Sequence, residues 1–198
     1  MNDISTIPAS VITPFQSRIE GLFDKMDKAY EAVANRCGFV CEGCEDNCCL
    51  TRFYHHTLLE YLYLRQGFFT LTETCQKEAK KNAEAVIAIY AADDTAVRAI
   101  CPLNTSGRCI LYAYRPMICR LHGIPNEMKR PDGVLVRGPG CHEFGKHFPD
   151  PPAVFLDRTP HYREMASIES NLRITTGFSL KIKLTIAEMI RHFTGGHP

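Results

Sequence analysis

Apolar side chains recur at helical spacing along much of this chain. Ile19, Leu22, Phe23, Met26, Tyr30 and Val33 share one face of a stretch whose other face carries Arg18, Glu20, Asp24, Lys25, Asp27 and Lys28. That pattern predicts an amphipathic helix packed on its apolar side. Thr13, Pro14 and Gln16 occupy the positions of an N-cap, N1 and N3, and Gly38 stands where such a helix would stop. A second apolar helix is expected around Leu58, Leu59, Leu62 and Tyr63, ending near Gly67. Thr70 and Glu73 have the spacing of a capping box. They predict the start of a long helix with Cys75, Ala79, Ala83, Val86 and Tyr90 on one side, ending around residues 91–94.

Between Cys101 and Cys141 the helical period disappears, and Gly, Pro and Cys become frequent. Ile110, Leu111, Tyr112 and Tyr114 read as one short extended segment, and Val134-Leu135-Val136 as another. Thr159-Pro160 starts a further helix bearing Tyr162, Met165 and Leu172; Leu180, Ile182 and Leu184 then alternate like a strand. Thr185 and Glu188 cap a closing helix with Ile186, Met189, Ile190 and Phe193. The expected fold is mainly α: a single helical domain over 14–198 with a loop-rich cysteine module (41–49 plus 101–141) and at most a small β-hairpin. Residues 1–13 are expected to form a flexible arm.

Composition narrows the class. The 198 residues are 45% hydrophobic and 23% charged, which suits a globular core and excludes collagen-like or largely disordered chains. Net charge is +1, so nothing pulls the whole chain toward nucleic acid or an anionic membrane, and neither is an expected partner. No stretch approaches the roughly 18 consecutive apolar residues of a membrane span. The opening MNDISTIPAS has neither a basic n-region nor an apolar h-region, so the cytoplasm is the expected compartment. Residues 1–100 hold 10 basic and 14 acidic side chains, and residues 101–198 hold 13 and 8, so the basic excess falls on the half that contains the cysteine module.

Ten cysteines change the picture: Cys37, Cys41, Cys44, Cys48, Cys49, Cys75, Cys101, Cys109, Cys119 and Cys141. In a reducing compartment clustered thiols more often bind metal or do redox work than form structural disulfides. Five of the ten fall between positions 37 and 49, and the adjacent Cys48-Cys49 suits a disulfide framework poorly. Cys41-x-x-Cys44 has the spacing that lets two sulfurs reach one ion. On a helix, Cys41, Cys44 and Cys48 would share a face. Cys101, Cys109, Cys119 and Cys141 are too far apart in sequence for a compact zinc finger, and must close onto something already formed. The candidate ligands are therefore Cys41, Cys44, Cys48, Cys49, Cys101, Cys109, Cys119 and Cys141. Arg115 and Arg120, interleaved with them, would screen thiolate charge and donate hydrogen bonds to sulfur.

This arrangement resembles the CxxCxxCC zinc- or iron-chelating, YkgJ-like cysteine-cluster family. The resemblance rests on Cys41-Glu-Gly-Cys44-Glu-Asp-Asn-Cys48-Cys49, on Cys101-Pro102-Leu103, on Gly107-Arg108-Cys109-Ile110-Leu111-Tyr112, on Arg115-Pro116-Met117-Ile118-Cys119-Arg120, and on Cys141 as the late cysteine. It covers about half the chain. Three residues separate Cys44 from Cys48 where the family name implies two. The resemblance implies metal or iron–sulfur binding by the eight cysteines and no defined reaction. Flagellin lysine methylases carry a similar cluster, which makes protein methylation one branch of the implication.

Other readings of the same residues are blander. Cys37-x-x-x-Cys41-x-x-Cys44 matches the spacing of a radical-SAM loop, but Gly43 stands where an aromatic residue is usual and a helix precedes it. Cys75 reads as a buried small hydrophobe, and Cys37 as a helix-end thiol. His122, His142 and His147 read as neighbours of the ligands or as surface groups, and His55-His56 as capping or solvated. No Walker loop, G-x-G-x-x-G or H-E-x-x-H is present. The expectation is thus a protein holding an iron–sulfur cluster, [4Fe-4S] in type, or Zn²⁺. Its alternatives are an Fe–S-dependent enzyme such as a protein methylase and a structural zinc module that binds a protein partner. Thiolate-rich closed sites suit Zn²⁺ and Fe–S alike; the adjacent cysteines and the lack of paired Cys-x-x-Cys knuckles favour the cluster.

Overall fold

A computed structural model describes residues 3–41, 48–93, 98–150 and 153–193. The fold is mainly α, with β-structure confined to small elements. In chain order the helices are α1 (Gln16–Cys37), α2 (Leu58–Phe68), α3 (Glu73–Ala92), α4 (Met117–Leu121), α5 (His142–His147), α6 (Thr159–Thr176) and α7 (Ile186–Arg191). The strands β1 (Asn104–Thr105) and β2 (Arg108–Cys109) form one antiparallel hairpin. The strands β3 (Asn126–Lys129), β4 (Leu135–Gly138) and β5 (Leu156–Asp157) form a second sheet in the order β4-β3-β5, antiparallel then parallel. Among the described residues, no helix is long and apolar enough to cross a membrane.

Two compact units divide the chain. The first comprises Met1–Gln16, Cys49–Pro116 and Glu169–Pro198; the second comprises Ser17–Cys48 and Met117–Ile168.

In the first unit α2 is the central element. Its residues from Leu58 to Arg65 are all buried, as are Gly67 and Phe68, so it has no solvent face. Thr57 caps it by accepting the Glu60 amide. Phe193 packs edge-on against Tyr61, with centroids 5.3 Å apart, and lies equally close to Phe68. Within 3–15, which takes in the described part of the arm expected at 1–13, Ile4–Thr6 and Ala9–Phe15 coil into 3-10 turns and bury Ile4, Ile12 and Phe15. The buried Arg65 guanidinium ties this stretch to α2 by donating to the Ile7 carbonyl at 2.8 Å. The coil already runs from Ala9 to Phe15 with Pro14 inside it, so Thr13 is not an N-cap. Thr72, rather than Thr70, caps α3 by accepting the Cys75 amide; Thr70 instead donates its hydroxyl to the Gly67 carbonyl. Thr185 and Glu188 form the capping box of α7 as the sequence predicts.

In the second unit α1 buries Ile19, Leu22, Phe23, Met26 and Val33, the face read from the sequence. It ends in a Schellman motif: the Gly38 amide donates to Asn35 and the Phe39 amide to Ala34, with Gly38 at φ +69°. Phe39 then packs edge-on against Phe144 of α5, with centroids 5.2 Å apart. The expected extended segment at 134–136 lies in and next to β4.

Candidate thiolate site

The local sequence Asn104-Thr105-Ser106-Gly107-Arg108 encodes a two-residue hairpin. Ser106 and Gly107 both have positive φ, +51° and +82°, as the favoured hairpin turn requires. Glycine accepts that conformation without penalty. The Gly107 amide donates to the Asn104 side-chain oxygen at 3.0 Å and fixes the turn. Asn104 pairs with Cys109 and Thr105 with Arg108. The extended segment expected at Ile110–Tyr114 is therefore replaced. The strand stops at Cys109, and Tyr112–Tyr114 form a 3-10 turn.

Two turns hold the sulfurs. Cys101 starts one, its carbonyl accepting the Asn104 amide at 2.9 Å. Cys109 leads into the other. Leu103 and Leu111 are 1% and 3% exposed, so the turns are anchored through their side chains in the core of the first unit. The Ile110 amide closes the pair by donating to the Leu103 carbonyl at 2.9 Å. Tyr114 lies against Gly67 of α2, with its ring centroid 4.9 Å from that of Tyr63.

Cys49 joins from the other end of the unit. Its carbonyl accepts the Cys101 amide at 2.9 Å. Burial pushes the Cys101 thiol up to about 12; the Leu103 amide works against that, while Cys49 and Cys109 add to it. Burial likewise raises Cys109, opposed by the Leu111 amide and the Arg115 guanidinium, with Cys49 again raising it. Although the Cys101 residue as a whole is only half-buried, its sulfur is well withdrawn from water. The three thiols are near enough to feel one another's charge. Arg115 also stacks on the Tyr112 ring, 3.7 Å from its centroid.

The other described cysteine candidates fall in the other unit. Cys41, Cys48, Cys119 and Cys141 belong to the second unit. There Cys141 caps α5, its sulfur accepting the Phe144 amide at 3.4 Å, and its own amide donates to the Gly123 carbonyl. Cys119 sits in α4, and Cys41 and Cys48 are exposed. Cys44 lies outside the described residues. Arg115 and Arg120 do not share a setting. Arg120 is buried in the second unit, paired with Asp27 and stacked on Phe23. Cys75 is half-buried near the start of α3, with its amide bonded to Thr72.

Two residues depart from the sequence reading. His55, expected to be capping or solvated, is 2% exposed, and its backbone pairs with Leu184 in an antiparallel bridge. Asn104 is the other: its side-chain nitrogen is buried with no hydrogen-bond partner among the described residues. The Ser106-Gly107 dipeptide between two cysteines is a turn signal that could have placed it.

Three thiols, an arginine and an orphaned buried amide nitrogen thus share this part of the first unit. The sulfurs are neighbours without being gathered round one point. Among the described residues, no group of three or more His, Cys, Asp or Glu side chains could hold a metal ion as placed. A scan against protein-family models finds no match, and searches of curated proteins and of solved structures find none either.

Proposed function

We propose that this protein is a thiolate metal-binding protein with Cys49, Cys101 and Cys109 at its centre, holding an iron–sulfur cluster or Zn²⁺. The observation that carries the reading is the hydrogen bond from the Cys101 amide to the Cys49 carbonyl at 2.9 Å, which with the Asn104–Cys109 pairing brings three thiols into one neighbourhood. Burial keeps these thiols neutral, and a bound metal would displace their protons. Arg115 adds positive charge next to Cys109. The resemblance to the YkgJ-like cysteine-cluster family supports the same reading, and by it Cys41, Cys44, Cys48, Cys119 and Cys141 remain candidate ligands. The adjacency of Cys48 and Cys49 favours a [4Fe-4S] cluster. A cytoplasmic setting would keep the thiols reduced, and the partner or substrate would be a protein.

Metal and acid-labile sulfide analysis of protein purified without oxygen tests the proposal. Iron with sulfide and a brown colour supports the cluster; zinc in a colourless protein supports the structural ion. Protein that is isolated metal-free and takes up neither sinks the reading.

A further inference from the structure

We propose that the outer edge of β4 is a self-pairing surface, on which a second copy of this chain adds its own β4, antiparallel, about a two-fold axis at Val136.

The backbone leaves that edge unused. The carbonyls of Pro125, just before β3, and of Glu127 within it accept the Leu156 and Arg158 amides. The odd-numbered residues of β3 thus turn their backbone groups toward β5. Asn126 and Met128 therefore turn theirs toward β4, where their partners are Gly138 and Val136. It follows that the N–H and C=O groups of Leu135 and Arg137 point away from β3. The sheet order ends at β4, and among the described residues no strand lies beyond it. Val134, Leu135 and Val136 are 52%, 50% and 44% exposed. Natural edge strands are usually blunted by charge, proline or a bulge, and three consecutive exposed apolar residues do the reverse. Arg137, the charged residue of β4, is turned back on its own chain: it donates to Glu127 at 3.1 Å and stacks on Phe155, 4.6 Å from the ring centroid.

The strand is complementary to itself in one register. With the axis at Val136, Leu135 lies opposite the partner's Arg137, and each such pair exchanges both N–H···O bonds of an antiparallel ladder. Val136 meets the partner's Val136. Val134 lies opposite the partner's Gly138, which has no side chain to obstruct it. An axis at Leu135 would need Gly133 to pair, but its amide is committed to the Arg130 carbonyl and its φ is +86°. An axis at Arg137 would set two guanidinium groups face to face and call on Pro139, which has no N–H. An axis between residues would set outward groups against inward ones. A two-fold contact uses the same strand on both copies, so it stops at a dimer.

Sedimentation equilibrium of the reduced full-length chain, from dilute solution up to about 1 mM, tests the proposal. A monomer–dimer equilibrium is expected. Val136→Lys and Val136→Glu, each matched to the wild type in circular dichroism, place like charges across the axis and are expected to weaken dimerisation about tenfold. Mixing the two variants should restore it, because unlike charges then meet. Hydrogen exchange reads the same contact without a variant: the Leu135 and Arg137 amides gain protection as concentration rises, while the Val136 amide, already bonded to β3, does not change. A dimer indifferent to both Val136 variants, a mixture that does not recover, or unchanged exchange at Leu135 and Arg137 overturns the proposal. So does a chain that stays monomeric throughout, which would leave the edge to a strand from a different protein.

Discussion

The Glu169 carboxylate accepts the amides of Leu58 and Leu59 at 2.8 and 2.9 Å, one on each oxygen. A side chain from α6 thereby caps α2, on top of the cap supplied by Thr57. Arg173, one turn further along α6, pairs with the same carboxylate and stacks on Phe178. With Glu169 8% exposed, removing it leaves two helix N–H groups unmet and takes the carboxylate from Arg173, which keeps its bond to the Leu180 carbonyl. Glu169→Ala is expected to cost about 3 kcal/mol of stability, in the range for breaking a buried, hydrogen-bonded ion pair. Urea unfolding measures this. A loss below about 1 kcal/mol would show that water or Thr57 satisfies the helix start unaided.

Acid should weaken the first unit through His55. Burial pulls its pKa from an ordinary 6.5 down to about 4, with His56 adding to the effect. The unfolded chain therefore binds a proton between about pH 6.5 and 4 that the folded chain refuses. Stability is complete above that window and falls as pH drops through it, by about 3 kcal/mol in all. Urea midpoints at pH 7 and pH 5 follow the loss, and His55→Leu is expected to flatten most of the slope. The remainder has a second source, since burial also lowers His161. An unchanged slope in His55→Leu would refute the assignment.

Gly67 is a place where a better helix former is expected to do harm. A methyl group there would lie 2.3 Å from the Tyr114 ring. Gly→Ala inside a helix ordinarily gains roughly 0.5–1 kcal/mol. Overpacking against Tyr114 reverses that, and Gly67→Ala is expected to destabilise by about 1–3 kcal/mol. In a Tyr114→Ala background the same change should turn neutral or stabilising. If the two substitutions simply add, Tyr114 is not seated on Gly67.

Cysteine substitutions separate the thiolate centre from the other thiols. Cys101→Ser and Cys109→Ser are each expected to lower bound metal per chain, whereas Cys75→Ala should leave it unchanged. The contrast follows from position. Cys101 is tied to Cys49 by a backbone hydrogen bond and Cys109 stands across the hairpin from Asn104, while Cys75 lies at the start of α3 with its backbone amide committed to Thr72. Metal loss in Cys75→Ala together with retention in Cys101→Ser would reverse the assignment.

The helices were legible because their signals are local. The apolar face of α1 and the capping box of α7 each lie within a few residues of sequence, and both form as read. Thr70 misled because Thr72 offers the same cap chemistry two residues later, and only packing chooses between them. The alternation of Leu180, Ile182 and Leu184 suggested a strand. Among the described residues only Leu184 bridges, to His55, and Leu180 is half exposed. No described strand extends that pairing into a ladder. Among the cysteines, spacing named the donors without grouping them. What assembles Cys49 with Cys101 is a backbone hydrogen bond between distant segments. What distinguishes Arg115 from Arg120 is the Asp27 carboxylate on α1. Neither partner is inferable from the run Arg115-Pro116-Met117-Ile118-Cys119-Arg120.

The meeting of Cys49 with Cys101 also has a topological meaning. All of α2 and α3 lies in the chain between them, whereas Cys101 and Cys109 are separated by a single tight turn. An ion shared by all three sulfurs would therefore act as a clasp on a long ring, with the most deeply buried helix of the first unit inside it. Closing that ring removes freedom chiefly from the unfolded chain. Stripping the ion would then be felt at Phe68 and Phe193 as a loosened core, far along the chain from any sulfur.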